Sequence, residues 1–338
     1  EVSGVQPEFN EPLDIVLSRY PLKVLSIRNE SYKDKKGVWW INTDKGMKIL
    51  KKVSSSEETL NFTIDAINHL SANGINIPKL QHTTDEKAYV NINGTCFTLS
   101  DAIEGRNPVY SSEKELQMIV AELARFHKAS KGFSPRHGTK PKYHLGTWVE
   151  DYTEKLAFIS QCYENALSKK EHDFIGKKLT EDFPYFNERA QAAIEGLKGP
   201  EYNDWVNLAK ESGSLCHQDF AAGNLILTQD KKIYVLDTDS VTIDISARDI
   251  RKLLNKVMKK SGRWDKKVVQ KMLTAYQQVN PLTPSQWKVV KLDLMFPHLF
   301  FGAVDKYYKK REKEWSEEKY MKRISEMSAF EKTIEPVL

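Results

Sequence analysis

Cysteine is scarce: three residues in 338, Cys96, Cys162 and Cys216, and none spaced as C-x-x-C. An odd, scattered set excludes a disulfide framework and a zinc cluster, and reads as buried small apolar side chains. Long apolar runs are missing as well. The longest are short pieces such as Leu225-Ile226-Leu227, far below the ~18 residues that suggest a membrane span, so no membrane partner is expected. The first ten residues, Glu1 to Asn10, are acidic and polar rather than basic and then apolar, which predicts synthesis in the cytoplasm without a signal peptide. A strong excess of one charge is also lacking, with 51 Lys+Arg against 46 Asp+Glu. The small excess is uneven: residues 251–338 hold 20 Lys+Arg and 10 Asp+Glu, and the other 250 residues hold 31 and 36. The lysines of the basic quarter interleave with Glu and apolar residues at helical spacing, so they read as solvated helix faces, and no nucleic-acid partner is expected.

What is present suffices for a large core. Hydrophobic residues make up 40% and aromatics 10%, which rules out wholesale disorder. The length exceeds one ordinary domain of roughly 100–200 residues and predicts two lobes.

The first hundred residues read as a small mixed sheet with one helix. Strands are expected at 22–27, 38–42 and 47–53, the last two joined by the turn Thr43-Asp44-Lys45-Gly46. Ser54 to Ser56 offer N-caps for a helix over 57–72, in which Leu60, Ile64, Ile67 and Leu70 share one face. Asn93-Gly94 between 88–92 and 95–99 marks a two-residue hairpin. From Ser111 the texture is helical. Ser112 with Glu115 suggests a capping box, and further helices are expected at 148–169, 181–197 and 201–211. A strand-rich island occupies 215–243, and the rest is helical with breaks at Pro281, Pro284 and Pro297.

Chemistry concentrates in the island. With Gln229 to Lys232 taken as the turn of a β-hairpin, position 225 falls opposite 236 and Asn224 opposite Asp237. Facing residues carry Cβ atoms ~4.5–5.5 Å apart, so an amide and a carboxylate would offer hard oxygen ligands suited to Mg²⁺ shared with phosphates. Asp219, five residues upstream of Asn224, could accept a proton from an attacking hydroxyl or amine. Simpler roles compete: His217 as a packed loop histidine, Asp249 as a helix cap fixing the loop, and Asp239 as either a further ligand or a solvated acid. On strand 47–53, alternation puts Met47, Ile49 and Lys51 on one face and Lys48, Leu50 and Lys52 on the other.

His217-x-Asp219-x4-Asn224, a hairpin, Leu236-Asp237-Thr238-Asp239 and Asp249-Ile250-Arg251-Lys252-Leu253-Leu254 together resemble the catalytic loop and metal-binding acid of the protein-kinase-like fold, in its aminoglycoside phosphotransferase and choline kinase branch. Within that branch the chain is most similar to CotS-type spore-coat proteins of bacilli, through Leu123 to Ser130, the 216–224 loop, Phe296-Pro297 and Tyr307-Tyr308. The resemblance implies an α+β, two-lobed fold. Residues 1–104 would form a nucleotide-binding lobe with an antiparallel sheet and one helix, and 105–338 a larger, mainly helical catalytic and acceptor-binding lobe.

The resemblance further implies ATP and Mg²⁺ as cofactors, Asp219 as the catalytic base, and Asn224 and Asp237 as metal ligands. Lys51 and Ile49 on the third strand, and Asp101 and Ile103 on the lobe connector, would bind the nucleotide, with Lys48 a weaker rival to Lys51. The expected activity is phosphate transfer to a hydroxyl or amine of an unidentified small molecule, in a protein of the spore coat with other coat proteins as partners. The insertion between Ser130 and Leu215 would supply the acceptor wall, although its aromatics, Trp148, Tyr152, Tyr163, Tyr185, Tyr202 and Trp205, have core spacing. Two departures favour an alternative, a coat component that keeps the fold with little or no activity. The phosphate-flap loop 28–37 has a single glycine, and Thr63 stands where the branch often has a helix Glu, with Glu58 and Asp65 the nearest acids.

Overall fold

The computed structural model describes residues 11–29, 37–171 and 173–338. The glycine-poor stretch from Glu30 to Lys36 lies outside these. After a short helix α1 (Leu13–Leu17), five strands form one sheet: β1 (Val24–Asn29), β2 (Val38–Thr43), β3 (Gly46–Lys52), β4 (Val90–Ile92) and β5 (Thr95–Asp101), in the order β1-β2-β3-β5-β4, every pair antiparallel. Helix α2 (Glu57–Ala72) sits between β3 and β4 in sequence and starts on Ser56, whose hydroxyl accepts the Thr59 N–H. Alternation on β2 buries Trp39, Ile41 and Thr43. That face packs with Leu50 and Leu99 against Val16, Leu17 and Tyr20, while Leu60 and Ile64 of α2 cover Val53 and Cys96. Asn93 and Gly94 both take positive φ, and Ile92 pairs with Thr95 across the two-residue turn.

The larger part begins with α3 (Glu113–Ala129), α4 (Trp148–Leu167), α5 (Phe174–Leu197) and α6 (Pro200–Ser212). Four short strands follow, β6 (Leu215–Cys216), β7 (Leu225–Leu227), β8 (Ile233–Val235) and β9 (Thr242–Ile243), with β7 paired to β8 and β6 to β9. The chain ends in α7 (Ala247–Ser261), α8 (Lys266–Val279), α9 (Pro284–Met295), α10 (His298–Tyr308) and α11 (Glu317–Lys332). Phe126, Trp148, Phe186, Phe300 and Phe301 lie fully inside this part, each contributing about 1.5–3 kcal/mol of burial. Among the described residues no helix is long and apolar enough to cross a membrane.

Some local expectations differ from the structure. Helix α5 starts at Phe174 rather than 181, because Asp173 caps it by accepting the Gly176 N–H, and Pro184 lies inside it. Burial of Ile175, Leu179, Phe183 and Phe186 along the helix offsets the hydrogen bond that Pro184 forgoes. The capping box at Ser112 is half made. Ser112 accepts the Glu115 N–H, but the Glu115 carboxylate is taken by Arg106 and the Val109 N–H. The aromatics of the 130–215 insertion are core, as their spacing suggests: Trp148 stacks on Tyr202 at 5.2 Å and Tyr152 on Phe296 at 4.5 Å, Trp205 is buried, and Tyr163 and Tyr185 pack at the rim.

The connector from β5 to α3 runs beside the hairpin as an extra strand. Arg106 and Leu227 exchange backbone hydrogen bonds of 3.1 and 2.7 Å, and the Asn107 amide donates to the Leu225 carbonyl. Gly105, at φ 154°, permits this approach, since a Cβ there would lie 2.5 Å from the Leu227 carbonyl oxygen. The sheet is thereby tied to the hairpin that carries the polar residues.

Candidate active site

A buried brace fixes the loop after β6. One oxygen of Asp249, in the first turn of α7, accepts the His217 N–H and pairs with His127 Nε2, both at 2.8 Å; the other accepts the Gln218 N–H. Burial pulls the Asp249 carboxyl up, but His127 and the His217 amide outweigh it and hold the carboxyl below its ordinary value. Gln218 takes φ 73°, a backbone state that persists only where its surroundings enforce it. His217 is fully buried; its Nε2–H donates to the Leu236 carbonyl and its Nδ1 accepts the Asp219 N–H. Burial lowers its pKa, so a neutral ring sets both the Asp219 backbone and the approach to Asp237. The buried trio His127, Cys216 and Asp249 lies close enough to suggest a metal. However, His127 is bonded on both ring nitrogens and burial keeps the Cys216 thiol protonated, so the trio is a structural brace.

Asp219 is 44% exposed at its side chain. One carboxylate oxygen pairs with Lys256 of α7, and the other accepts the Asn224 amide at 2.8 Å. Burial raises the Asp219 pKa, but Lys256 and the Asn224 amide prevail and keep it below its ordinary value. Asn224 Nδ2 also donates to the Asp219 carbonyl. This orientation leaves Asn224 Oδ1 without a donor among the described residues.

The hairpin register is shifted from expectation. Leu225 pairs with Val235, and Leu236 N–H bonds the Asn224 carbonyl, so Asn224 faces Leu236 rather than Asp237. Thr228 and Lys232 close a three-residue loop, Gln229 to Lys231, in which Lys231 takes positive φ and Thr228 Oγ1 accepts the Lys232 N–H. A lysine in the left-handed region was not legible as a turn residue. Asp237 then bends out of the strand at φ 52°, ψ 62°.

Lys51 of β3 reaches across to the hairpin, with Nζ 3.4 Å from Asp237 Oδ1 and paired with Asp239. Burial works against its charge, yet Asp239 and Asp237 raise its pKa. Thr63, where a helix acid was sought, is 4% exposed and donates back to the Thr59 carbonyl. Of the nearby acids, Asp65 is held by Arg136. The partner of Lys51 therefore comes from beyond the hairpin rather than from α2, and Asp239 serves as an ion-pair acid.

On the connector side, Ile49 lies half-buried and pairs with Ser100, while Lys48 is buried against the Asp101 carboxylate at 2.6 Å. Lys48 thus points away from Lys51 and is spent on the sheet. Asp101 N–H bonds the Lys79 carbonyl, and the Ile103 N–H has no acceptor among the described residues. The structure therefore pairs Asp219 with Asn224 and Lys51 with Asp237, the two pairs lying one residue apart across the hairpin, with Ile49, Asp101 and Ile103 on the adjoining strands and connector. Sequence reasoning missed Lys256 and the link from Asp239 to Lys51.

The chain is 30% identical over 318 residues to spore coat protein S of Bacillus subtilis, covering 94% of this chain and 90% of that protein. Its fold matches an aminoglycoside phosphotransferase from Alicyclobacillus acidocaldarius with a TM-score of 0.80 at 16% identity, covering 100% of this chain and 97% of that one. It also matches amicoumacin kinase, solved with AMP-PNP and Ca²⁺, with a TM-score of 0.61 at 19% identity over 96% of this chain and 94% of that one. The fold is therefore that of the aminoglycoside phosphotransferases, two-lobed and kinase-like. The family described as "Spore coat putative kinase YutH" matches residues 22–338, and the chain belongs to that family of kinase-fold spore-coat proteins.

Proposed function

We propose that the protein is a spore-coat phosphotransferase that moves the γ-phosphoryl group of ATP to a hydroxyl or amine of a small molecule. Residues 1–104 would act as the nucleotide-binding lobe and 105–338 as the catalytic and acceptor-binding lobe. The observation that carries this reading is the placement of two pairs, Asp219 with Asn224 and Lys51 with Asp237, at the open end of one hairpin.

The donor set fits a hard divalent cation: Asn224 Oδ1 and the second oxygen of Asp237 accept no hydrogen bond among the described residues, and Asp237 and Asp239 have one ammonium between them. Asn224 and Asp237 would hold Mg²⁺, which when bound neutralises phosphate charge. Lys51 steadies the phosphates, and the backbone at Asp101 and Ile103 receives the base beside Ile49. Asp219 orients the acceptor and takes its proton as the new bond to phosphorus forms and the bond to the β,γ-bridging oxygen breaks, releasing ADP. Calorimetry tests this reading. Mg-ATP should bind the wild type, and Asp237→Ala should weaken binding about ten-fold or more in Mg²⁺ and little in EDTA. No heat at millimolar Mg-ATP would remove the proposal.

A second reading, a coat component with little or no turnover, is favoured by Thr63 in place of a helix acid and by Lys256 already paired to Asp219. Turnover that is lost in Asp219→Asn would exclude it.

A further inference from the structure

Helix α7 presents two different faces. Ile250, Leu253, Leu254, Val257 and Met258 are buried in the core. Arg248, Arg251, Lys252, Asn255, Lys256 and Lys259 recur at the helical period on the other side, and all six line an open cleft of about 580 Å³ that also contains Asp219. The stripe extends about 16 Å along the helix axis, at 1.5 Å per residue. Six cationic and amide side chains over that length exceed what a single phosphate contact requires.

The charges in this cleft do not balance. Five cations line it, and Asp219 is its one carboxylate. Arg251 is offset from beneath by Asp293 at 3.0 Å. Arg248 donates to Gln218 at 2.9 Å and lies 3.5 Å from Asp244, whose burial pushes its carboxyl up to about 7 and so weakens the compensation. Lys256 pairs with Asp219. Lys252 donates only to the Gln218 carbonyl, at 3.2 Å, and Lys259 has no carboxylate partner among the described residues. Asn255 is 8% exposed, lines the cleft, and its amide makes no hydrogen bond among the described residues. The amide opens to the cleft and is free to hydrogen-bond a ligand there. His298, on the cleft wall, adds no charge, since burial and Arg251 push it down to about 4.

We infer that this cleft binds an anionic acceptor, a small hydroxylated acid whose carboxylate or phosphate lies on Lys252, Asn255 and Lys259 while its hydroxyl reaches Asp219. The inference rests on the phosphotransferase reading for the reaction but not for the binding preference. A cavity of this size suits a single sugar-sized molecule. A polycationic acceptor would meet the uncompensated charges of Lys252 and Lys259, which repel it. In the transfer, the hydroxyl oxygen bonds to the γ-phosphorus of ATP, ADP departs with the bridging oxygen, and Asp219 receives the hydroxyl proton.

Four sugars that differ mainly in charge test the inference on the full chain by calorimetry: glucuronate, glucose 6-phosphate, glucose and glucosamine, each with and without Mg-ADP. At least one of the two acids should bind about ten-fold or more tightly than glucose, with glucosamine weakest. The tighter acid identifies the anion as carboxylate or phosphate. Lys259→Gln, at an exposed position, should lower acid affinity several-fold, and Lys252→Gln should do the same. Equal affinities, a preference for glucosamine, no binding of either acid at 10 mM, or acid binding unaltered in both variants would each overturn the inference. Mg-ATP titration of the same sample separates the two claims. Acid binding without Mg-ATP binding sinks the phosphotransferase reading and keeps this one, and Mg-ATP binding with a preference for glucosamine does the reverse.

Discussion

Two acids at the hairpin each hold a lysine, yet their surroundings are opposite. Around Asp237, two carboxylates pair with one ammonium, that of Lys51, which arrives from the sheet across 186 positions of sequence, while Lys142 donates to the Asp239 main-chain carbonyl. Around Asp219, one carboxylate faces five cations, four of them set by the period of α7 beside Lys256. The first side leaves carboxylate and amide oxygens open and suits a divalent cation; the second has an excess of cations and suits an anion. The proton states follow the same division, since Lys51 is driven above its ordinary pKa while Lys252 is driven down to about 8. The two sides of the hairpin therefore differ in electrostatic character, with Asp219, the proposed base, between them. Under the proposed reaction, separate cationic groups for nucleotide and acceptor would offset the repulsion between two anionic reactants.

The largest expected effect removes the boundary group. Asp219→Asn keeps the hydrogen bond to Asn224 and the brace through His217, so the fold and Mg-ATP binding should survive while phosphate transfer falls about 10²–10⁴-fold, the usual worth of a positioned base. Coupled-assay ADP release, read beside calorimetric nucleotide affinity, measures both. A fall below ten-fold would mean that the two sides of the cleft do not meet at this carboxylate.

A crossed pair of substitutions sharpens the contrast. Lys51→Met should weaken Mg-ATP about ten-fold with little change in acid binding. Lys256→Met should weaken acid binding by a similar factor and leave Mg-ATP within about two-fold, because each removes one charge from one side. If either variant moved both affinities equally, the cleft would be a single electrostatic unit and the division drawn here would be wrong.

These properties were unequally legible in the sequence. The H-x-D-x4-N loop, the Asn93-Gly94 hairpin and the alternation that sorts Lys51 from Lys48 are local patterns, read from spacing alone, and the structure bears them out as geometry. The β7–β8 register was misjudged by one residue because it turns on Lys231 adopting a left-handed backbone, which no composition rule favours. The Asp239 partner of Lys51 was hidden because ion pairs between distant segments leave no periodic trace. The stripe on α7 was visible as basic residues at helical spacing but was taken for a solvated face. Only the fold, by bringing Gln218 and Asp219 against Lys252 and Lys256, turns that face toward a cleft.

The smallest expected effect is a pH profile that separates the two lysines. Lys252 is depressed first by burial, then by the cations of Arg251 and Arg248; Asp249 opposes this, and Lys256 adds to the depression. A lysine at about 8 is charged below that pH and loses its proton above it, so anion affinity should decline as pH rises through 8. Glucose 6-phosphate, or glucuronate if that is the tighter acid, should bind about three- to ten-fold more weakly at pH 9.5 than at pH 7, the scale set by one charge lost near the ligand. Lys51 is shifted upward and stays charged throughout this window, so Mg-ATP affinity should remain nearly level over the same range. Lys252→Arg, which keeps its charge at every pH used, should flatten the acid profile without altering the nucleotide one. A decline that persists in Lys252→Arg would assign the titration to another group in the cleft, and parallel declines for both ligands would show that the lysines do not act on separate sides.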